Sequence, residues 1–132
     1  MTQDDIPNAL NTLLATLSLP TAWENTSFDP PDTGAHLRPT YMPGETSQMG
    51  ALPAIAEHVG LYQVDVFGPR DSGDGFVRGV ANSILALFPM GLGINANGTT
   101  VRITRSYRGP ASEEEQTGLF HIPVRIHWRT EI

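Results

Sequence analysis

Residues 120–129 limit the possible folds more than any other part of the chain, because apolar and polar side chains alternate along them. The apolar series is Phe120, Ile122, Val124, Ile126 and Trp128, and the polar series is His121, Arg125, His127 and Arg129. A period of two residues is typical of a β-strand with one face in the core and the other in solvent. Pro123 cannot donate a hydrogen bond to a ladder, so it predicts that this strand lies at an edge or is bulged.

Three earlier segments are also predicted to be strands. Residues 61–67 have high β propensity and alternate, which predicts that their apolar side faces a core. Residues 23–28 and 35–42 lie on either side of a dense turn signal at 29–34, which is rich in proline, aspartate and glycine. Pro39 predicts that the second of these two strands is an edge strand or is bulged.

A β-hairpin is predicted in the last third of the chain. The dipeptide Asn97-Gly98 strongly favours a two-residue turn, and it separates residues 93–95 from a strand at 99–107. Three residues of the longer strand are expected to share one face, namely Val101, Ile103 and Tyr107. Together with the alternating segment, this hairpin makes the last third of the chain mainly β.

Two segments have apolar residues at the spacing of an α-helix. The first runs over residues 4–18, with Pro7 tolerable in its first turn and Pro20 beyond its end. The second carries apolar residues over 76–88. Helices and strands together predict a single α+β domain, in which two helices pack on one face of a mixed, mostly antiparallel β-sheet.

A long loop is predicted between the early strands of this domain, which spans residues 1–132. Residues 43–60 contain two prolines and show no sustained period, and the segment is long for a loop in a compact domain. We expect it to be mobile in a free monomer and to become ordered when the protein assembles.

The composition excludes several functional classes. The chain has no cysteine, which rules out disulfides, thiolate chemistry and cysteine-ligated metal sites. Its net charge is -6 and it has no lysine, whereas proteins that bind the phosphates of nucleic acid usually carry an excess of basic residues. Nucleic-acid binding is therefore not expected as the primary function. Residues 1–5 are acidic, unlike a signal peptide, and no apolar run is long enough to span a membrane. We therefore expect a cytoplasmic protein.

Short motifs do not predict an active site. Ser72 follows a turn and precedes a helix, a position in which serine is normally a cap and not a nucleophile. Asp71 and Asp74 lack the ligand spacing of a calcium loop. His121 and His127 are six residues apart on one strand, about 20 Å, which is too far for one metal ion. No catalytic residue, metal site or cofactor is therefore predicted.

The polar side of the predicted sheet is basic in a chain that is acidic overall. It carries Arg102, Arg125, His127 and Arg129. Opposite charges on different surfaces of one protein favour contact between copies of it. An ordinary solvated sheet face explains the same pattern, so residues alone leave both interpretations open.

A series of landmarks in a fixed order resembles one family of phage proteins. The landmarks are Pro20-Thr21-Ala22-Trp23-Glu24-Asn25 with Phe28 and Pro30, Leu37-Arg38-Pro39, Gly60-Leu61-Tyr62-Gln63-Val64-Asp65-Val66-Phe67, Leu85-Ala86-Leu87-Phe88-Pro89, and Val101-Arg102-Ile103 with the closing strand. They resemble the tail-terminator-like proteins of long-tailed siphophages, a group similar to the lambda minor tail protein U. The resemblance covers nearly the whole chain and rests on many landmarks in order, without one diagnostic motif.

The resemblance implies a structural protein and not an enzyme. Such proteins cap the head-proximal end of the growing tail tube as a six-membered ring, stop tube polymerisation and offer a surface for joining the tail to the head. The implied partners are further copies of the chain, the major tail tube protein and a head–tail connector protein. DNA would pass through the ring without specific binding. The implied location is the virion tail, after assembly in the host cytoplasm.

Eight residues are candidates for contacts between subunits or with the tube. They are Arg38, Arg102, Arg125, His127, Arg129, Glu45, Met49 and His58. Glu45, Met49 and His58 belong to the predicted loop. If the arginines meet acidic loops of a neighbour, salt should weaken ring closure, because solvent-accessible ion pairs are screened.

Three other functions are compatible with the same residues. Another neck or head-completion protein would join portal to tail without ending tube growth. A small α+β enzyme would use His58 or His121 with Asp65, and the third alternative is a small-molecule binding module. An enclosed pocket with a perturbed histidine and aspartate would favour the enzyme.

Overall fold

The computed structural model of the 132-residue chain describes residues 4–29, 34–48, 56–69, 75–113 and 119–131. Two α-helices and six β-strands lie in these ranges. They are, in chain order, α1 (Asp5–Ala15), β1 (His36–Gln48), β2 (Ala56–Gly68), α2 (Gly75–Leu87), β3 (Gly93–Ala96), β4 (Thr99–Arg108), β5 (Ser112–Glu113) and β6 (Phe120–Glu131). Neither helix is long and apolar enough to cross a membrane.

All six strands belong to one sheet, in the order β1-β2-β6-β4-β3, and each pair of neighbours is antiparallel. The short β5 pairs with β6 beyond the end of β4. β6 is therefore the central strand, flanked by β2 and β4. The prediction that β6 has one face in the core is confirmed, because its apolar side chains from Ile122 to Trp128 are buried and its polar side chains lie on the other face.

Both helices pack on one face of the sheet, as the sequence predicts. α1 turns Ile6, Leu10 and Leu14 towards the sheet. The residues of α2 that face the sheet are Val77, Val80, Ala81 and Ile84. The apolar side chains that they cover on the strands include Tyr62, Val64, Val66, Val101, Ile103, Ile122, Val124 and Ile126. The α+β prediction is confirmed, and neither of the two helices packs on the opposite face.

β1 forms one edge of the sheet, as Pro39 predicts, and its outward hydrogen-bonding positions are blocked. The Leu37 N–H donates to a backbone carbonyl at 2.9 Å, and the Tyr41 N–H donates to the Glu24 carboxylate. Pro39 and Pro43 occupy the alternate outward positions and have no N–H. This stretch of the edge therefore offers no free donor to an added strand, which discourages uncontrolled pairing.

The strand predicted at 23–28 does not form. The chain instead makes one isolated bridge to β1, between Thr21 and Leu37, and Asn25 has a left-handed backbone with φ 56°. A left-handed residue interrupts an extended chain, which explains why the β-like composition of this segment produces no ladder.

The loop predicted at 43–60 is much shorter in the structure. β1 continues to Gln48 and β2 begins at Ala56, and their pairing passes through a bulge after Pro43. Pro43 is the reason why the sequence pattern did not predict a strand here. Its nitrogen faces the outer edge of the sheet, where no N–H is needed for a ladder. The mobility predicted for this segment remains a prediction, and residues 49–55 lie outside the described residues.

Pro123 lies in the central strand, so the prediction that it marks an edge or a bulge is wrong. In an antiparallel strand the N–H and C=O of one residue point to the same neighbour, and the Pro123 carbonyl accepts from the Gly109 N–H at 2.7 Å. The missing donor therefore faces the gap where β4 has ended at Arg108 and β5 begins only at Ser112. No strand needs a donor there, which makes proline tolerable.

A bulge between Ile103 and Arg105 places Tyr107 on the opposite face from the one predicted. One extra residue in a strand reverses the direction of every later side chain. Val101 and Ile103 are buried as expected, whereas Tyr107 pairs with Arg125 on the face without helices.

Candidate functional site

The face of the sheet without helices, here called the open face, is basic. Alternate residues of β1, β2, β6 and β4 point to it because these strands are paired in register. Its arginines are Arg38, Arg102, Arg105, Arg125 and Arg129, five of the eight basic residues in the chain. On β2 it also carries Glu57 and Asp65. Cations therefore predominate on this face although the net charge of the chain is -6.

Asp65 is buried on the open face at the centre of a polar network. Its side chain is 4% exposed and accepts hydrogen bonds from Gln63 at 2.9 Å and from Arg38 at 3.4 Å. His121 Nε2 lies 2.7 Å from the same carboxylate. Burial raises the pKa of the Asp65 carboxyl, but the hydrogen bonds and positive charges of these neighbours outweigh burial and hold that pKa below its usual value. The ionised Asp65 thus orients three side chains.

A column of stacked rings fills the end of the open face beside this network. The Phe67 ring lies between His36 and His121, with a centroid separation of 4.9 Å on each side. The Arg38 guanidinium lies 4.7 Å from the Phe67 centroid, and Phe28 packs against His36 at 5.3 Å. Phe67 is 2% exposed as a result, so this end of the open face is already covered.

Three arginines of the open face have neutral partners within the described chain. Arg102 donates to the Gly91 carbonyl at 2.9 Å, Arg105 bonds His127 Nε2 at 3.2 Å, and Arg125 donates to Gln63 at 3.3 Å. Arg38 and Arg129 differ, because they pair with the carboxylates of Asp65 and Glu57, each at 3.4 Å. The charges of the first three are therefore available to a carboxylate from another molecule.

His127 lies among these cations and is neutral at pH 7. Burial, followed by the charges of Arg105 and Arg125, lowers the pKa of its imidazole. A neutral ring accepts the Arg105 hydrogen bond at Nε2, which places its proton on Nδ1. Tyr107 stacks on the imidazole with centroids 5.7 Å apart. The ring and its neighbours thus form a cationic and aromatic patch.

An apolar groove of about 410 Å³ opens at the other end of the open face from the ring column. Met42, Val59 and Leu61 contribute its apolar lining, and His127 and Arg129 contribute polar groups. Met42 and Val59 are each 38% exposed, although both side chains are large and apolar. An exposed apolar centre with a charged surround has the anatomy of a protein–protein contact.

The structure brings together five of the eight residues predicted for the interface. The open face carries Arg38, Arg102, Arg125, His127 and Arg129. His58 pairs with Thr130 and alternates with Val59, so it points to the opposite face. Met49 and the side chain of Glu45 lie outside the described structure. Participation of these residues in an interface remains a prediction.

Sequence reasoning missed Arg105 and the apolar groove. Arg105 was not predicted on this face, because only the bulge in β4 shifts the register and brings Arg105 beside His127. Met42 and Leu61 meet only through pairing of β1 with β2, and no local pattern reports that contact. The sequence did indicate the face on which Leu61 lies, because Leu61 alternates with the buried side chains of its strand.

The histidine and aspartate of the enzyme alternative do meet. His121 hydrogen-bonds Asp65, but within the described ranges it bonds no hydroxyl that could act as a nucleophile. The carboxylate is also held by Arg38 and Gln63, and neither His121 nor Asp65 lines the apolar groove. Within the described ranges, no three or more His, Asp or Glu residues are grouped to hold a metal ion. The two side chains belong to the hydrogen-bonded network around Asp65, which joins β1, β2 and β6.

Comparisons with known proteins give the family. One solved structure shares 30% sequence identity and superposes with a TM-score of 0.80, covering 98% of this chain and 96% of that chain. A search of curated proteins finds no significant match. A family model described as phage tail terminator protein matches residues 5–128, which confirms the resemblance read from the sequence landmarks. The chain therefore belongs to the phage tail terminator family, whose members are structural components of the virion tail.

Proposed function

We propose that this protein caps the head-proximal end of the tail tube as a ring of six copies, ends tube polymerisation and provides the surface to which the head is joined. Membership in the terminator family over residues 5–128 is the observation that carries the proposal. The partners are further copies of the chain, the major tail tube protein and a head–tail connector protein. Assembly takes place in the host cytoplasm, and DNA passes through the ring without sequence-specific contact.

The open face supports a role in assembly and not in catalysis. Its groove and its three arginines without a carboxylate partner in the described chain offer apolar area together with unneutralised charge. Burial of such a surface against an acidic neighbour supplies both association energy and orientation. The proposed contact residues are Arg38, Arg102, Arg125, His127 and Arg129, and Glu45, Met49 and His58 are further candidates.

The blocked edge of β1 also supports a closed assembly. A protein that ends a polymer must not itself extend by open-ended strand pairing, and this edge presents Pro39 and Pro43 where donors would be needed. Contacts through side chains of the open face can close a ring without adding strands to the sheet.

Deletion of the gene followed by electron microscopy of the tails tests the function directly. A terminator predicts overlong tubes without heads, and a plasmid copy of the gene should restore tail length. Tails of normal length that fail to join heads would overturn termination and would favour another neck or head-completion protein.

The salt dependence of assembly tests the role of the arginines. Sedimentation velocity should show the ring weakening as NaCl is raised to about 1 M, where the Debye length falls to about 3 Å. Arg105→Gln should shift assembly to higher protein concentration. Arg108→Gln serves as the control, because Arg108 is exposed and alternates with Tyr107, which places it on the side of β4 opposite the open face. Assembly that is equal at low and at high NaCl concentration, and equal in the two variants, would contradict a role for the basic face.

A further inference from the structure

We infer that a hollow formed by Trp23 and Glu24 of one copy receives the guanidinium group of Arg105 from the next copy, so that the ring closes through an ion pair between two different surfaces. This inference rests on the proposed ring and names a contact between its subunits.

The hollow lies between α1 and the chain that follows this helix. It has a volume of about 300 Å³ and is lined by Asn11, Thr12, Ala15, Trp23 and Glu24. Thr12 and Glu24 are exposed, so the hollow is open to solvent. An indole ring, a carboxylate and an amide oxygen bind a guanidinium group through a cation–π contact, an ion pair and a hydrogen bond. The lining therefore has the chemistry of a binding site for arginine.

The groups that would bind the guanidinium are oriented by their own chain but retain binding capacity. The Tyr41 N–H donates to Oε1 of the Glu24 carboxylate, and no cation in the described part of the chain pairs with that carboxylate. Asn11 Oδ1 accepts from the Tyr62 hydroxyl and has a second lone pair. Trp23 packs against the core, and neither of the two arginines that lie over aromatic rings in the described structure lies over its indole. The second oxygen of Glu24 is therefore available to another molecule.

The chain around the hollow is uniformly acidic. Residues 4–29 contain no arginine, lysine or histidine, and their acidic residues are Asp4, Asp5, Glu24 and Asp29. Burial, followed by the charge of Asp4, raises the pKa of Tyr41, and burial, followed by the charge of Glu24, raises the pKa of Tyr62. Tyr41 and Tyr62 are cross-strand partners, so Asp4 and Glu24 act on the same part of the molecule. A cation that approaches the hollow is attracted by this charge.

Arg105 is the open-face arginine best placed to reach a neighbouring molecule. It is exposed, bonds the neutral His127 at 3.2 Å and lies 5.3 Å from the centroid of the Tyr107 ring. A guanidinium group has several N–H donors, so it can keep these contacts while it binds a carboxylate. The pairing of β3 with β4 ends at Arg102, and within the described ranges no strand pairs with the outer side of β4 at Arg105. Arg125, by contrast, lies on the central strand and is only partly exposed.

The hollow and Arg105 lie on different sides of the molecule, which determines the symmetry of the contact. Glu24 binds the outward N–H of β1, and three strand spacings, about 14 Å, separate β1 from β4. Residues of α1 line the hollow on the covered face of the sheet, whereas Arg105 lies on the open face. The two groups therefore do not meet within one chain. A contact between different surfaces of two copies is heterologous, and heterologous contacts generate a ring when they close.

Charge reversal tests the contact through a mixture of two variants. Glu24→Arg brings two arginines together and Arg105→Glu brings two glutamates together, so each variant alone should need a roughly 100-fold higher protein concentration for half-assembly. In a six-membered ring in which the two variants alternate, every contact again joins an arginine to a glutamate. The mixture should therefore assemble near the wild-type concentration. A mixture that assembles no better than the separate variants, with both folded, would overturn the inference.

Arg108→Glu is the matched control. Arg108 is exposed and lies three residues further along β4, on the side opposite the open face. This variant should assemble like wild type, and in a mixture it should bring far less labelled Glu24→Arg protein into rings than Arg105→Glu does. Sedimentation velocity measures assembly, and thermal melting shows which variants remain folded. Equal rescue by the two variants would indicate an effect of net charge alone and would also overturn the inference.

Neutral variants decide the question if charge reversal at Glu24 unfolds the chain. Glu24→Gln retains an oxygen that can accept from the Tyr41 N–H. Glu24→Gln and Arg105→Gln should each raise the concentration for half-assembly about tenfold. The double variant should raise it no further, because both substitutions remove the same ion pair. Effects that multiply in the double variant would contradict a direct contact.

The outcomes separate this contact from the function of the protein. Rescue in the mixture supports the contact even if gene deletion leaves tail length normal, which would overturn termination alone. Overlong tails on deletion, together with no rescue in the mixture, would overturn the contact alone. Wild-type protein that does not associate with itself at the highest soluble concentration would overturn the contact whatever the tail length.

Discussion

Replacement of Asp65 by asparagine is the sharpest test of how the open face is organised. The carboxylate is 4% exposed and is contacted by Gln63, His121 and Arg38 at 2.9, 2.7 and 3.4 Å. Asparagine has nearly the same shape but exchanges one acceptor oxygen for an NH2 group, which cannot accept from a donor. We therefore expect Asp65→Asn to fold and to be less stable.

The loss of stability follows from the individual contacts. A hydrogen bond to a charged group contributes about 1.5–3 kcal/mol, and the asparagine loses one such bond. The Arg38 side chain is 47% exposed and is hydrated again in the variant, so loss of its ion pair contributes less than about 1 kcal/mol to the destabilisation. The free energy of unfolding at pH 7 should fall by about 2 kcal/mol, which lowers the urea midpoint by about 1 M.

The pH dependence of the stability difference between wild type and Asp65→Asn tests this reasoning. The pKa of Asp65 is lower in the folded chain than its usual value, so the stabilisation from the carboxylate is fully present above about pH 4. It is lost as the pH falls through the folded pKa. The gap between wild type and Asp65→Asn in urea titrations should therefore narrow below pH 4, as long as both fold. A gap that is absent at pH 7, or constant in acid, would refute the reasoning.

A control variant separates the buried carboxylate from an exposed one. Glu57 pairs with Arg129 at 3.4 Å, but both side chains are partly exposed, at 28% and 39%. Glu57→Gln should change the free energy of unfolding by less than about 1 kcal/mol. A loss as large as that of Asp65→Asn would mean that burial is not the deciding factor.

Gly60→Ala should destabilise the fold by about 1–3 kcal/mol, because its methyl group would lie 2.4 Å from Trp128 Cζ2. Gly79→Ala on α2 meets no atom within 4 Å and should be neutral or stabilising by about 0.5–1 kcal/mol; thermal melting that ranks the two equally would contradict this. Tyr62→Phe removes a hydrogen bond to Asn11 and should cost about 1 kcal/mol in urea unfolding. Burial raises the pKa of Tyr62, so ultraviolet titration should not ionise it before the chain unfolds.

Much of the fold is predictable because it follows local periodicity. The helix predicted at 4–18 runs from Asp5 to Ala15, and the one predicted at 76–88 runs from Gly75 to Leu87. The Asn97-Gly98 turn joins β3 to β4 with φ of 53° and 94°, as a two-residue hairpin requires. In each case the signal and the structure it specifies lie within a few residues of each other.

The candidate site was predictable only in part. The basic side of β6 was correctly separated from its apolar side, since alternation determines the face of each residue. The groove depends on which strands are neighbours, and Arg105 depends on a bulge, so neither has a local signature. The Asp65 network likewise joins β1, β2 and β6.

By itself, the sequence determined the α+β class, the helices, the hairpin turn and the two faces of the central strand, because hydrophobic periodicity and turn chemistry act over short distances. The order of landmarks also led to the correct family. Tertiary structure alone decided that Pro123 could occupy a central strand, that residues 43–48 and 56–60 continue a hairpin, and that Met42 and Leu61 meet in the apolar groove. These features depend on pairing between distant segments, where one register shift or one strand end changes which side chains meet.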